Sequence, residues 1–347
     1  MSDLKIVVVG AGFAGRVVHM AGYAANFVRV AAICDQAKER AQSLADQYKV
    51  PKVYTDWREM IEQEQPDIVS VCLPNVLHRE VTIAALKAGA HVLCEKPLAT
   101  SVAEAHEMFD AARKAGRVLM AAQHFRFEPG PQAIKRVIES GALGQIYHAE
   151  AIALRRMGIP TWGAFTQRAA SAGGCLLDIG SHMLDQTVWL MGNPRPTKVS
   201  AVTQQLFGRR PEIAAAHGNG YNPKLFDVED SAVAFVRFKD GASLILRVCW
   251  AAHIKDSRFA SQLLGTEGGV ITDPPTVYRL RDGMQVDEEF KNLPRSSGWE
   301  REVVHFLAVV RGETEPLVKE EETLNVQRIL NAAYRSAEEG REVEVEA

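Results

Sequence analysis

Short runs of β-branched and aliphatic residues recur through the first third of the chain. Ile6–Val9, 28–33, 68–72 and 91–94 are near-continuous apolar runs, and 118–122 is a weaker fifth. Runs without polar alternation suit strands covered on both faces. Between them lie Ala-rich amphipathic stretches at 16–24, 38–47, 80–88 and 102–115. Gly89 and Gly116 stand just past two of them, where helices commonly stop. Strand and helix in alternation predict right-handed crossovers and a parallel, doubly wound α/β sheet.

The pattern changes near Gln123. The next residues, 124–131, hold Pro129, Gly130 and Pro131, which places a domain junction there and gives domains 1–123 and 124–347. From Ile146 onward apolar and polar residues alternate with the period of half-buried strands. Asp240-Gly241 between the runs 233–239 and 242–249 predicts a tight hairpin. Runs at 260–264, 270–272 and 276–281 continue a meander, and 300–311 and 321–339 read as helices. The second domain is therefore expected to be α+β with a largely antiparallel open sheet. The segment 207–225, with glycines and prolines beside Tyr221, reads as one long loop: a lid, an oligomer arm or a disordered stretch.

Length and composition narrow the class. A chain of 347 residues suits about two domains. With 47% hydrophobic and 24% charged residues it is neither disordered nor a disulfide scaffold. Its 40 basic and 43 acidic residues leave a net charge of −3, which offers no field for nucleic acid or a membrane surface. Cys34, Cys72, Cys94, Cys175 and Cys249 show no C-x-x-C spacing, which suits a reducing, cytoplasmic compartment, and Cys34, Cys72 and Cys94, each ending an apolar run, read as small buried hydrophobes. The apolar run near the N-terminus is far shorter than the ~20 residues of a membrane span, and nothing in it reads as a targeting segment.

Gly10-Ala11-Gly12-Phe13-Ala14-Gly15 is a G-x-G-x-x-G between a strand and a helix. In a dinucleotide site Gly10 makes the turn, Gly12 lets the backbone approach a pyrophosphate, and Gly15 lets helix pack on strand. The helix N-terminus offers N–H groups to the phosphates. Asp35 follows the next strand, 20 residues after Gly15, the spacing of a carboxylate that binds ribose hydroxyls. Such a carboxylate repels a 2′-phosphate, so NAD is favoured over NADP, with Lys38 and Arg40 nearby pulling the other way. A plain tight turn, and a helix cap for Asp35, are the competing readings.

Three further groups carry chemistry. Glu95-Lys96-Pro97 closes the 91–94 strand, and Pro74-Asn75 with His78 closes the preceding one, both at the carboxyl edge where open α/β sheets bind ligands. In Gly173-Gly174-Cys175-Leu176-Leu177-Asp178-Ile179-Gly180-Ser181-His182, Asp178 and His182 are four apart, one face of an α-helix. An Asp beside a His orients the imidazole and raises its basicity. No H-E-x-x-H or Cys/His cluster suggests a metal.

The glycine motif Gly10–Gly15, Glu95-Lys96-Pro97 and Asp178-x-Gly180-x-His182, in this order, resemble the Gfo/Idh/MocA oxidoreductases, along essentially the whole chain. The resemblance implies an N-terminal Rossmann domain and an NAD-dependent enzyme that moves hydride between a secondary alcohol of a sugar, sugar derivative or cyclitol and the nicotinamide. It implies that Lys96 holds the reacting hydroxyl, His182 is the acid/base, and Asp178 orients it or relays its proton. It implies a cis Lys96–Pro97 bond. Gly10, Gly12, Phe13, Ala14, Gly15, Asp35, Leu73, Pro74, Asn75, His78, Glu95, Lys96 and Gln123 would line the dinucleotide. His124, Arg126 and Trp162 would join Lys96, Asp178 and His182 around the substrate, although Arg126 and Trp162 equally suit packing at the junction. A homodimer or homotetramer is implied, since the open sheet needs its face covered. Two rivals within the same fold are a redox-neutral sugar lyase or hydrolase that recycles its NAD, and a ligand-sensing regulator.

Overall fold

The computed structural model describes residues 4–346. The chain forms two compact units. The first takes residues up to His124 and also Ser297–Thr323; the second takes Phe125–Ser296 and the residues from Leu324 on. The expected division lay at 123/124, with a C-terminal helix packing back on the first domain as an option; the residues that return to the first unit are 297–323, which hold the helix Gly298–Val310.

The first unit is built on β1 (Ile6–Val9), β2 (Val30–Cys34), β3 (Lys52–Tyr54), β4 (Ile68–Val71), β5 (His91–Glu95) and β6 (Leu119–Ala122). They form one parallel sheet in the order β3-β2-β1-β4-β5-β6, the doubly wound Rossmann order. All four residues of β1, β4 and β6 are buried, as their unbroken apolar runs require. The helices start and stop on local chemistry. Ser101 caps Val102–Ala115 by accepting from the Glu104 N–H, and Gly116, at φ 62°, closes it. The strand β3 and the helix Trp57–Glu64 have no counterpart among the sequence-predicted elements. β3 is a three-residue edge strand with an exposed Lys52, too short and too polar to show a period. After β1 the chain turns first through a π-helical stretch, Ala14–Met20, and only then an α-helical one, Ala21–Ala25, in place of the single α-helix expected. Gly22 lies against the helix Gly298–Val310: a Cβ there would stand 2.9 Å from Val303 Cγ2.

The second unit carries β7 (Ile146–Leu154), β8 (Pro196–Gln204), β9 (Ser231–Phe238), β10 (Ser243–Cys249), β11 (Arg258–Gly265), β12 (Gly268–Thr272), β13 (Pro275–Arg281), β14 (Met284–Glu289) and β15 (Val343–Glu344). The order is β14-β13-β12-β11-β7-β10-β9-β8-β15. The Asp240-Gly241 hairpin joins β9 to β10 as expected; Gly241 has φ 90° and Asp240 Oδ1 accepts from the Ala242 N–H. The sheet is antiparallel except that β7 and β10 run parallel. One face is small and apolar: Ala149, Ala151 and Ala153 of β7 lie beside Leu244, Leu246 and Val248 of β10. The helix Ser181–Leu190 packs across β7 and β11, and Pro129–Glu139 packs on β12 and β13. The opposite face leaves Val202 and Val233, which pair across β8 and β9, exposed, with Phe235 and Ile245 half-buried. All five cysteines are buried, and burial pushes the Cys34 thiol up to about 12. Among the described residues no helix is long and apolar enough to cross a membrane.

The segment 207–225 is folded, against the expectation of one long loop. It holds a helix, Pro211–Ala216, and a 3-10 turn, Pro223–Leu225. The fully buried Asp230 anchors its start. Its Oδ1 accepts from Leu206 N–H at 2.8 Å, and its Oδ2 accepts from Phe207 and Gly208 N–H, each at 2.7 Å. His217 Nδ1 lies 2.7 Å from the Ile213 carbonyl, and its Nε2 accepts from Ile159 N–H at 3.0 Å. Asp230→Asn sets an amide NH2 against N–H donors, an unsatisfied buried contact costing about 1–3 kcal/mol. Trypsin cleavage after Arg209 and Lys224 is expected to quicken about tenfold in this variant, as gel time courses at equal protease would show. Wild-type cleavage rates would refute the anchoring role.

Candidate functional site

The glycine turn of the first unit is shaped by what surrounds it. Gly10 has φ 103°, and a Cβ there would meet the Cys72 carbonyl oxygen at 2.1 Å; one on Gly15 would meet the Gly10 oxygen at 1.9 Å. These two glycines are required by the fold. Gly12 differs, because a Cβ there would meet nothing within 4 Å. Its smallness serves whatever approaches from outside, which is the cradle a pyrophosphate needs. Asp35 sits beside the turn. Its Oδ2 accepts from Ala11 N–H and its Oδ1 from Ala37 N–H, both at 2.9 Å, and Arg40 Nη1 lies 3.5 Å from Oδ2. The two readings of Asp35 meet here: it braces the following turn and also stands at the mouth of the glycine loop. Phe13 is exposed and Ala14 half-buried beside it.

The carboxyl edge of the sheet supplies the rest. Glu95 of β5 pairs with Ala122 of β6, so Lys96 and Gln123 emerge side by side. Gln123 Oε1 is buried and accepts no hydrogen bond from any described residue, as suits a site meant for a hydrogen-bonding ligand. Leu73 is half-buried, Pro74 exposed and Asn75 buried at the turn after β4. The Lys96–Pro97 peptide is cis. His78 departs from expectation. It is fully buried, with Nδ1 2.9 Å from the Pro97 carbonyl and Nε2 2.9 Å from the Leu73 carbonyl. Both ring nitrogens face backbone carbonyls of the edge turns, one of which the neutral ring can bond by its single N–H, and neither nitrogen faces outward.

Glu95 is buried, and His19 is its unanticipated partner. His19 Nε2 lies 3.2 Å from Glu95 Oε1, and Oε2 accepts from the Lys96 N–H at 3.1 Å. Burial alone would raise the Glu95 carboxyl; the His19 hydrogen bond, the electrostatic influence of that ring and the nearby Lys96 charge outweigh burial and hold it at about 2. His19 stands on the helix after the glycine turn, and no motif in the sequence marks it. Burial pushes the His124 imidazole down to about 3, and its ring is 5.2 Å from that of Trp299.

In the second unit the Asp178–His182 segment begins at Gly173-Gly174, where a Cβ on Gly174 would stand 1.9 Å from the Glu229 carbonyl oxygen. The Glu229 side chain holds this start. It accepts from Gly174 N–H at 2.9 Å, Leu176 N–H at 3.0 Å and the Tyr334 hydroxyl at 2.7 Å. Burial pushes its carboxyl up. Leu176–Gly180 is a π-helical turn that runs into Ser181–Leu190. Asp178 therefore lies on a turn with i→i+5 bonding, not on the plain α-helix assumed from the spacing. Asp178 Oδ2 accepts from Trp250 Nε1–H at 3.0 Å, with Arg155 Nη1 at 3.8 Å. His182 is buried, and the Phe125 ring meets it edge-on at 5.0 Å.

For Arg126 the structure favours the packing reading over the substrate one. It is fully buried, and its guanidinium grips Asp185 with Nε at 2.7 Å and Nη2 at 2.6 Å. Asp185 sits on the His182 helix, so this ion pair fixes that helix to the start of the unit, and the arginine has no face for substrate. Trp162 stands on a loop with its ring exposed.

Two predictions follow from these geometries. Gly12→Ala is expected to fold with an unchanged melting temperature yet lose at least tenfold in NAD affinity, while Gly10→Ala fails to fold; calorimetry and NADH fluorescence titration would read both. Unchanged affinity in Gly12→Ala would mean the gap beside it serves no ligand. The lowered histidine carries a sign. The unfolded chain takes up a proton below about 6.5 that folded His124 refuses until about 3, so stability held at neutral pH is lost as pH falls through that window. His124→Gln is expected to remove about 1–2 kcal/mol of the loss between pH 7 and 5; equal slopes of stability against pH in both proteins would contradict it.

Comparison with known proteins bears on both halves. Residues 4–123 match the oxidoreductase family with an NAD-binding Rossmann fold, and residues 132–271 match the GFO/IDH/MocA C-terminal domain. The D-glucoside 3-dehydrogenase of Escherichia coli K12 is 34% identical over 346 residues, 99% of this chain and 98% of its own. The levoglucosan dehydrogenase of Pseudarthrobacter phenanthrenivorans is 30% identical across 82% of this chain and 76% of its own. A solved levoglucosan dehydrogenase in complex with NADH and levoglucosan superposes with a TM-score of 0.85 at 25% identity, over 99% of this chain and 100% of that one.

Proposed function

The chain belongs to the GFO/IDH/MocA oxidoreductase family, with its NAD-binding Rossmann fold, and we propose that it oxidises the C3 hydroxyl of a D-glucoside to the ketone. One observation carries this reading. Lys96, Asp178 and His182 are all present in a chain matched along 99% of its length by a D-glucoside 3-dehydrogenase. The residues around the glycine turn fit NAD: Gly12 leaves room, Asp35 stands at the mouth, and Gln123 offers a buried acceptor.

NAD, when bound, accepts the hydride from the sugar carbon. The chain supplies the rest. His182 takes the hydroxyl proton as the C–H bond breaks, so alcohol and NAD become ketone, NADH and one proton. Asp178 holds the imidazole in the orientation that accepts it. Lys96 donates to the same oxygen and stabilises its developing negative charge. Asp35 selects a free ribose 2′-hydroxyl over a 2′-phosphate by charge. A second copy of the chain covers the open face around Val202 and Val233.

Methyl α-D-glucopyranoside with NAD is expected to give one NADH per 3-keto product, by absorbance and carbonyl analysis, with NADP, levoglucosan and myo-inositol much slower. Lys96→Met and His182→Asn should each lose about three orders of magnitude in kcat while NADH fluorescence shows intact cofactor binding. Faster turnover of another polyol would overturn the substrate; near wild-type turnover in either variant would overturn the roles.

A further inference from the structure

Asp178 is held by residues that no motif contains. β7 and β10 run parallel, with Leu154 opposite Cys249. Parallel strands deliver their next residues to the same edge, so Arg155 and Trp250 emerge together. The backbone locks them there: Arg155 N–H donates to the Cys249 carbonyl at 2.9 Å, Ala252 N–H to the Arg155 carbonyl at 2.9 Å, and Gly158 N–H to the Trp250 carbonyl at 2.8 Å. The Trp250 indole is fully buried and edge-on to Phe226 at 6.3 Å. It cannot turn, and its single donor points at Asp178 Oδ2 at 3.0 Å. Arg155 Nη1 donates to the Gly158 carbonyl at 2.8 Å, which keeps it 3.8 Å from that same Oδ2.

We infer that Trp250, backed by Arg155, is the positioning residue for Asp178: its buried N–H fixes the carboxylate so that one oxygen is committed to the sheet edge and the orientation presented toward His182 is set. The rigid indole constrains the rotation of the carboxylate on its π-helical turn. Arg155 alone would let it swing, because a flexible guanidinium follows its partner. The inference rests on the catalytic reading of Asp178 given above, and extends it to two residues beyond it.

Trp250→Phe keeps the ring and removes the donor. With methyl α-D-glucopyranoside and NAD, its kcat is expected to fall about ten- to hundredfold, the range for a hydrogen bond to a charged group, with NADH affinity unchanged and a melting temperature lowered by the cavity that the smaller ring leaves. Since Trp250 acts through Asp178, adding Trp250→Phe to Asp178→Asn should cost nothing more. The indole N–H resonance that Trp250→Phe removes should shift in Asp178→Asn, a readout that needs no substrate. Wild-type kcat in Trp250→Phe beside a crippled Asp178→Asn would overturn the inference and leave the catalytic reading standing. So would losses that multiply in the double variant. Wild-type kcat in Asp178→Asn would overturn the catalytic reading itself. Should Trp250→Phe not fold, Arg155→Met reads the same link: a fall in kcat that Arg155→Lys restores and that vanishes on the Asp178→Asn background supports it, and wild-type kcat overturns it.

Discussion

Parallel strand pairing is the constraint from which the chemistry of this protein follows. An antiparallel neighbour carries the chain away from the edge where its partner ends, whereas parallel neighbours release their next residues at one place. In the first unit β5 and β6 release Lys96 and Gln123 in this way, beside the turn after β4. In the second unit the pairing β7–β10 interrupts an otherwise antiparallel sheet, and it is there that Arg155 and Trp250 meet Asp178. The interruption has a cost, since parallel strands need a long connection between them and their ladder bonds are slanted. What it supplies is an edge where two rigid residues point at one carboxylate.

Buried carboxylates do the second part of the work, and each does it on backbone N–H groups. Asp35 accepts from Ala11 and Ala37, Glu229 from Gly174 and Leu176, Asp230 from Leu206, Phe207 and Gly208. A turn or helix start leaves N–H groups that the regular ladder cannot satisfy. A carboxylate with two oxygens satisfies several at once and so selects one loop conformation among many. Three irregular segments are made unique in this way: the turn after β2, the start of the Asp178 helix, and the segment following β8. Glycine is the other half of the device. Gly10, Gly15 and Gly174 lie where a Cβ would strike a carbonyl oxygen about 2 Å away, so the backbone closes where any side chain would hold it open.

What could be read from the chain before its fold follows from range. The Asp240-Gly241 hairpin and the Val/Ile strands are local signals, complete within a few residues, and they stand as read; the glycine turn likewise follows β1 where its motif lies. Arg126 could not be decided between pocket and packing, because its partner Asp185 is 59 positions away. His78 failed likewise: its role is set by two carbonyls, Leu73 and Pro97, that only the paired strand ends bring together. His19, Glu229 and Tyr334 act through distant partners and leave no spacing to recognise. The two π-helical turns were invisible for another reason. They differ from an α-helix by one residue in the bonding pattern, which side-chain periodicity over five to seven residues cannot resolve.

The two π-helical turns also fall at the two motifs, one after the glycine turn and one across Asp178. In each case the residue that matters lies at or near the changed bonding, and in each case an outside group holds it. Glu95 takes His19 from the first helix, and Trp250 takes Asp178 from the second. An α-helix would supply its own i,i+4 neighbours and fix the side chain from within. At both wider turns a group from a strand or strand end is a further partner to the side chain. Chemistry that depends on angle is thereby anchored to the stiffest part of each unit, the parallel strand ends.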